Sequence, residues 1–237
     1  MLEFELQKAP TGIDVTGRFD NTCRCELAAQ AMEAVSCGQL KLRIFQMGSA
    51  ASIANARISV GSSSGSITVI IGADAPQVVI GANTSGNFHF RLWRRSVIKI
   101  EENTTSNGLA VVCDMSEVLI GADCLFSDGI LLQSADQHGI VDLQSGQIIN
   151  NRMRKISIGE HVWLGRKSTL LPDISVGNGS IIGAGAIVTK DVPENSVAVG
   201  IPAKVVKSKT TWSRFPNVLD SLSRTYIEQF RQQTASH

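Results

Sequence analysis

The stretch "ISIGEHVWLGRKSTLLPDISVGNGSIIGAGAIV", Ile156 to Val188, decides the fold. It has neither the two-residue alternation of a half-buried strand nor the 3.6-residue spacing of a helix. Its period is six. Ile158, Leu164, Leu170, Val176, Ile182 and Val188 fall on one phase without a miss. Two positions earlier stand Ile156, Val162, Ser168, Ile174, Ser180 and Ala186, all apolar or small. One position later stand Gly159, Gly165, Leu171, Gly177, Gly183 and Thr189. A hexapeptide period signals a parallel β-helix. Each hexad reads as a short strand and a corner: the aliphatic side chain points inward, the small one fits beside it, and glycine lets the chain bend. One hexad cannot bury its own apolar face, so hexads must stack. Three walls per turn give coils of eighteen residues, which puts Ile158 under Val176, Leu164 under Ile182 and Leu170 under Val188.

The phase continues upstream through Ile120, Phe126 and Leu132, each with an apolar or small residue two positions before (Val118, Cys124, Ile130). Farther up, "ISVG" at Ile58, "VIIGADA" at Val69 and "VVIGAN" at Val78 keep the signature at uneven spacing, which predicts irregular coils with insertions. The chain therefore divides into an N-terminal cap region (1–48), a β-helix (49–207) and a C-terminal helical segment (208–237). "NTCRCELAAQAMEAVSCG" places Leu27, Ala31, Ala34 and Val35 on one helical face before Gly38. "FPNVLDSLSRTYIEQFRQQ" does the same for Val218, Leu219, Leu222, Ile227 and Phe230. Helices at the two ends would cover strand edges that an open solenoid exposes.

Composition bounds the function. Of 237 residues, 43% are hydrophobic and 18% charged, which suits a packed core. A formal net charge of +1 gives no reason to expect nucleic acid as a partner. No apolar run is long enough to span a bilayer. The opening "MLEFELQKAP" lacks a basic segment followed by an apolar one, so a cytoplasmic location is expected. The five cysteines (Cys23, Cys25, Cys37, Cys113, Cys124) form no CxxC pair and no metal spacing. The four histidines show no zinc-binding pattern, so no metal is expected and a γ-type carbonic anhydrase does not fit.

One more step of the phase past Leu132 lands on His138, and there the rhythm breaks. Residues 139–155 are polar, with Gly139, Gly146 and a basic cluster of Arg152, Arg154 and Lys155. A loop projecting from a rigid coil, with a histidine at its root, is a natural place for a site. A corner histidine beside an inert surface loop is the structural alternative.

At these residues the chain resembles the hexapeptide-repeat acyltransferases of the maltose/galactoside acetyltransferase-like group, nearest to those that O-acetylate bacterial polysaccharides such as polysialic acid and capsule. "SADQH" (134–138) resembles the segment with the catalytic histidine, and "IGEHVWLG" (158–165) the stretch with an active-site tryptophan. "SIIGAGAIVTKDVPENSVAVGIPAKVVK" (180–207) resembles the group's last coil and exit. The likeness covers roughly Ile120 to Lys207. It implies a left-handed β-helix, against the usual right-handed crossover. It also implies a homotrimer with active sites between subunits, and acetyl-CoA as donor to a sugar or polysaccharide hydroxyl.

The resemblance makes His138 the general base. An imidazole, with an unperturbed pKa of about 6.5, is suited to take the acceptor proton and return it to the departing thiolate. Trp163 is implied in the site, through its indole N–H at the oxyanion or as a wall for the thioester. Ala184, Thr189, Lys190, Lys204 and Lys207 match donor-binding positions, and Asp136 and Asn107 are acceptor-side candidates. Ser127 and Asp128 could also line the acceptor side. Arg166 departs from the group, where galactoside acetyltransferases carry a serine that contacts the donor. His161 is expected as a surface corner residue, His89 lies without partners, and His237 sits at the end of the chain. Two other readings stay open: an N-acetyltransferase acting on an amino sugar, and a structural solenoid without catalysis.

Overall fold

The computed structural model describes residues 1–48 and 51–235. The expected start of the solenoid at Ser49, and His237, lie outside them. The chain winds as a left-handed parallel β-helix. Among the described residues one wall is an 8-stranded sheet, and the other two walls form a 13-stranded sheet that bends round a corner. The predicted stacking holds rung for rung: Ile158 pairs with Val176, Leu164 with Ile182 and Leu170 with Val188. One coil lower, Ile120, Phe126 and Leu132 pair with Ile158, Leu164 and Leu170. All of these side chains are buried. Each full burial of a Val, Leu or Ile side chain contributes about 1.5–3 kcal/mol, so the repeated column is the main source of cohesion.

The upstream coils are regular rather than irregular. Ile58, Val78, Ile98 and Val118 pair in sequence along the first wall. Their spacing is twenty residues, because single strands of nine residues (Ser63–Ile71, Thr84–Leu92, Thr105–Cys113) cross both remaining walls. Downstream, two-residue strands at Leu125–Phe126, Trp163–Leu164 and Ile181–Ile182 hold the second wall. Ile130–Gln133, Thr169–Leu170 and Ile187–Val188 hold the third. A search for sixes misses a period of twenty.

The ladder also takes in part of the expected cap. Arg24–Leu27 pairs with Arg57–Val60, and Leu40–Gln46 with the strand from Ser63. Leu27, expected on a helical face, is instead the last residue of a strand. Helix α1 covers only Ala29–Ser36 and buries Ala31, Ala34 and Val35. At both ends an antiparallel strand closes the parallel ladder: Leu2–Glu5 on Arg24–Leu27, and Lys204–Lys207 on Val197–Val199. The C-terminal helix α2 is Ser221–Ala235. Val218 and Leu219, expected on its apolar face, precede it and are exposed, while Phe230 is buried. No helix among the described residues is long and apolar enough to cross a membrane.

The five cysteines are free thiols. Burial, aided by nearby carboxylates, pushes Cys25 and Cys124 up to about 12, which leaves them inert as nucleophiles.

Candidate active site

His138 stands where the third wall hands over to the first. The strand Ile130–Gln133 ends, Ser134 still donates to Val112 O (3.0 Å), and the chain then leaves the coil. It returns at Arg154–Ile158. Arg154 and Lys155, expected in the loop, therefore already belong to a strand that pairs with Ser116–Ile120. The excursion folds back on itself through an antiparallel bridge between Val141 and Ile148. His138 is exposed, and among the described residues its ring has no hydrogen-bond partner. A cleft beside it is lined by Arg94, Asp114, Asp136, Ile148, Asn150 and Arg154. An unengaged imidazole at the edge of a polar cleft is available to a hydroxyl.

Asn150 fastens the root of this loop. Its side-chain amide donates to His138 O (2.8 Å) and to Asp136 Oδ2 (3.1 Å), and its Oδ1 accepts from Ile140 N (2.8 Å). Arg154 Nη1 pairs with the same Asp136 oxygen at 2.9 Å, and Arg154 Nε with Asp173 Oδ2 at 2.7 Å. Asp136 thus faces Arg154 and Asn150, and these contacts hold the backbone that carries His138. No pattern in the sequence marks Asn150. It lies twelve residues from His138 in a segment without periodicity.

Trp163 lies elsewhere, on the outer side of the second wall, 37% exposed. Its indole N–H points to Ser127 Oγ at 3.5 Å, the outer limit of a hydrogen bond. It shares a shallow cleft with Ile181, Trp212, Phe215 and Val218. Register makes a straight column of it: Trp163 pairs with Ile181, Ile181 with Val197, and Val197 with Lys207. At about 4.8 Å per rung the column is about 14 Å long. It starts with an aromatic, continues over aliphatic side chains and ends in a cation. Lys204 and Lys207 are exposed and in no ion pair among the described residues.

The remaining candidates occupy corners. Ala184 is exposed at the corner between the second and third walls, where its N–H lies 2.7 Å from where a Cβ on Gly165 would be. Asn107, exposed, follows Ser106, which pairs with Phe126, so it belongs to the same corner several coils lower. There Arg166 Nε pairs with Asp128 Oδ1 at 2.7 Å. Thr189 and Lys190 are exposed just past Ile187–Val188, at the corner from which the His138 loop leaves two coils earlier. One chain therefore brings Asp136 and His138 together in one cleft, whereas Trp163 lines another.

His161 corrects an expectation. It is fully buried, not a surface residue. The segment after Ser208 folds back over its corner and stacks Trp212 at 4.3 Å and Tyr226 at 4.6 Å on the two sides of the ring. One ring nitrogen faces Asp123 Oδ2 at 2.7 Å and the other Trp212 O at 3.1 Å. Arg214 closes the cluster on Asp123. A repeat pattern cannot show a distant tail returning to a corner. His89 is largely exposed on the third wall, and the partial desolvation of its ring, with help from Arg91, holds its pKa below the usual value. Among the described residues no group of three His, Cys, Asp or Glu could hold a metal ion.

Comparison with known proteins agrees with this architecture. A family model described as bacterial transferase hexapeptide (six repeats) matches residues 155–190. The putative lipopolysaccharide biosynthesis O-acetyl transferase WbbJ of Escherichia coli K12 is 33% identical over 137 residues, 54% of this chain and 69% of that protein. A polysialic acid O-acetyltransferase of Escherichia coli O1:K1 is 38% identical over 118 residues, half of this chain but only 38% of the relative's length. The crystal structure of the polySia specific acetyltransferase NeuO superposes with a TM-score of 0.56 at 26% identity, covering 92% of this chain and 97% of the other.

Proposed function

Because the chain belongs to the hexapeptide-repeat bacterial transferases, we propose that it is an acetyl-CoA-dependent O-acetyltransferase acting on a hydroxyl of a bacterial surface polysaccharide or sugar, with His138 as general base. The observation that carries this reading is the unengaged His138 ring, exposed at the edge of a polar cleft where the coil is interrupted. His138 takes the proton from the acceptor hydroxyl as that oxygen attacks, and returns it to the departing thiolate. Arg154 and Asn150, through Asp136 and the His138 carbonyl, keep the ring at its place. Asp136 and, more remotely, Asn107 stand on the acceptor side.

The donor supplies an acyl thioester. The column on the second wall fits it chemically: Trp163 against the thioester end, aliphatic side chains along the arm, and Lys204 and Lys207 as cations for phosphates, with Ala184 at the adjoining corner offering backbone; Thr189 and Lys190, at the far corner past the third wall, would meet a donor held by a neighbouring copy. We propose a homotrimer in which His138 of one copy and Trp163 of its neighbour share a site. The support is their separation in one chain, together with apolar side chains at the surface of the loop, among them Leu143 (95% exposed), Ile148 and Ile149.

The test is release of thiol from acetyl-CoA in the presence of a panel of polysaccharide and sugar acceptors. His138→Ala should lower turnover by about 100- to 10,000-fold with unchanged melting behaviour. Equal rates for the two proteins would remove the enzymatic reading and leave the structural one. Transfer to an amine and to no hydroxyl would replace the acceptor class.

A further inference from the structure

After Ser208 the chain turns back and descends the corner between the first and second walls, coil by coil. Thr210 N donates to Asn195 O (2.8 Å), Thr211 Oγ1 to Gly179 O (2.9 Å) and Trp212 Nε1 to His161 O (2.8 Å). Arg214 then reaches Asp123 and, another coil down, Asn103 O at 3.2 Å. Three of these corner residues stand two positions before the column on the second wall: Asn195 before Val197, Gly179 before Ile181 and His161 before Trp163. The strap 210–214 is therefore a ridge that follows that column rung for rung along one edge. Covering the open end of the ladder does not call for it, because Lys204–Lys207 already closes that end against Val197–Val199.

At the Trp163 rung the ridge widens into a cleft. Trp212 stacks on His161 at 4.3 Å and packs against Trp163 with ring centres 6.3 Å apart. One buried indole thus touches both the anchor and the candidate site residue. Ser213 Oγ donates to Val218 O (3.0 Å) and closes the turn that brings Phe215, Asn217 and Val218 to the cleft of Trp163 and Ile181. Phe215 lines this cleft and yet is 57% exposed, so no core packing accounts for it. Among the described residues the Asn217 side chain has no hydrogen-bond partner. Apolar sides, an amide with donor and acceptor to spare, and Lys207 at the far end of the column suit a thin chain of methylenes and amides that ends in phosphates.

Resting on the acetyl-transfer reading, we propose that the strap is one side of the donor groove: Phe215 touches the pantetheine arm beside the thioester, and Trp212 is a positioning residue that holds Trp163 against that arm. Donor affinity then depends on a segment outside the hexapeptide coils, and the burial of His161 is the anchorage which that segment needs.

The experiment uses the full-length protein and three ligands: CoA, phosphopantetheine, and the adenosine bisphosphate that forms the nucleotide end of CoA. Binding is measured by calorimetry, and KM and kcat with acetyl-CoA. Phe215→Ala should raise Kd for CoA and phosphopantetheine, and KM for acetyl-CoA, by about 5- to 30-fold. It should leave kcat and the Kd of the bisphosphate within about twofold. Phe215→Leu, which keeps most of the apolar area, should stay close to the parent. Trp212→Ala should lower kcat by about 10- to 100-fold through misplacement of Trp163, and Trp212→Phe, which keeps a ring between His161 and Trp163, should recover most of it. An unchanged Kd for CoA on Phe215→Ala would overturn the groove while leaving acetyl transfer standing, and so would an equal loss of all three ligands. An unchanged kcat on Trp212→Ala would overturn the positioning role. Phe215-dependent binding of CoA without transfer to any acceptor would sink the catalytic reading and keep the groove. No binding of CoA by the parent protein would sink both.

Discussion

Two residues in each hexad shape the corners, and they do different work. The hexad pattern makes the glycine one step after the inward aliphatic the bend-former, but Gly159, Gly165, Gly177 and Gly183 do not have positive φ. A Cβ on Gly177 would lie 2.4 Å from Glu194 N, and one on Gly165 2.7 Å from Ala184 N. At Gly159, Gly165 and Gly177 the next coil's backbone passes too close for a side chain, and at Gly183 the Val199 side chain does. The bend itself is three steps after the aliphatic, at His161 (φ 53°), Lys167 (56°), Asp173 (61°), Gly179 (68°) and Gly185 (70°). Left-handed backbone costs an ordinary residue roughly 1–2 kcal/mol. A pair of substitutions separates the two roles. Gly177→Ala should destabilise by about 1–3 kcal/mol, as overpacking does, whereas Lys167→Gly should leave the melting temperature unchanged or slightly raised. Thermal denaturation of both variants checks this, and a Gly177→Ala protein as stable as Lys167→Gly would refute the assignment.

At the scale of elements, the C-terminal segment is held by its two ends. Trp212 and Arg214 fasten the strap to His161 and Asp123, and α2 begins on an N-cap made by Asp220. Ser223 N donates to Asp220 Oδ1 at 3.0 Å and Ser223 Oγ to Oδ2 at 2.6 Å. Partial burial pushes the Asp220 carboxyl up, but its bonds with Ser223, its own backbone N–H and Ser213 outweigh that and hold the pKa at about 2. A carboxyl lowered from an unfolded value of about 3.9 stabilises the folded state above that pH, and its contribution is lost as pH falls through about 2. Protection of the α2 amides, taken as the exchange rate relative to the intrinsic rate at each pH, should therefore fall between about pH 4 and pH 2 in the parent protein. Asp220→Ala should show fast exchange already at neutral pH, with helix stability lowered by about 0.5–2 kcal/mol, and little further change in that window. Identical exchange in the two proteins at neutral pH would remove the cap. The loop at 139–153 has no comparable internal core. It rests on Asn150 and the Val141–Ile148 bridge, and leaves its apolar side chains at the surface.

For the whole molecule, the question is how two candidate groups on different walls come to act on one acyl group. In the proposed trimer each site takes His138 from one copy and Trp163 from another. His138→Ala and Trp163→Ala would then each be impaired alone. When they are co-expressed and mixed at random, about a quarter of the interfaces pair an intact His138 with an intact Trp163. In trimers shown by affinity tags to contain both chains, one interface in three has that pairing, so their activity should return to about a third of the parent's. Mixed oligomers without recovery would place the whole site within one chain, and a monomer by sedimentation would end the trimer itself.

The sequence by itself determined the solenoid from Ile120 onward, because a strict period of six survives only where every turn meets the same core. It also marked His138 as lying where the coil breaks, because an interruption is visible against a regular background. The twenty-residue coils upstream were legible only once register was known, since their strands change wall without any punctuation in the pattern. What tertiary structure alone decided is proximity across distance: Asn150 clasping the His138 root, the tail burying His161, and Trp163 held on another wall. Periodicity reports how each residue faces its own coil. Which side chains from separate coils, loops and tails meet at a corner depends on where the chain returns in space, and no local pattern encodes that.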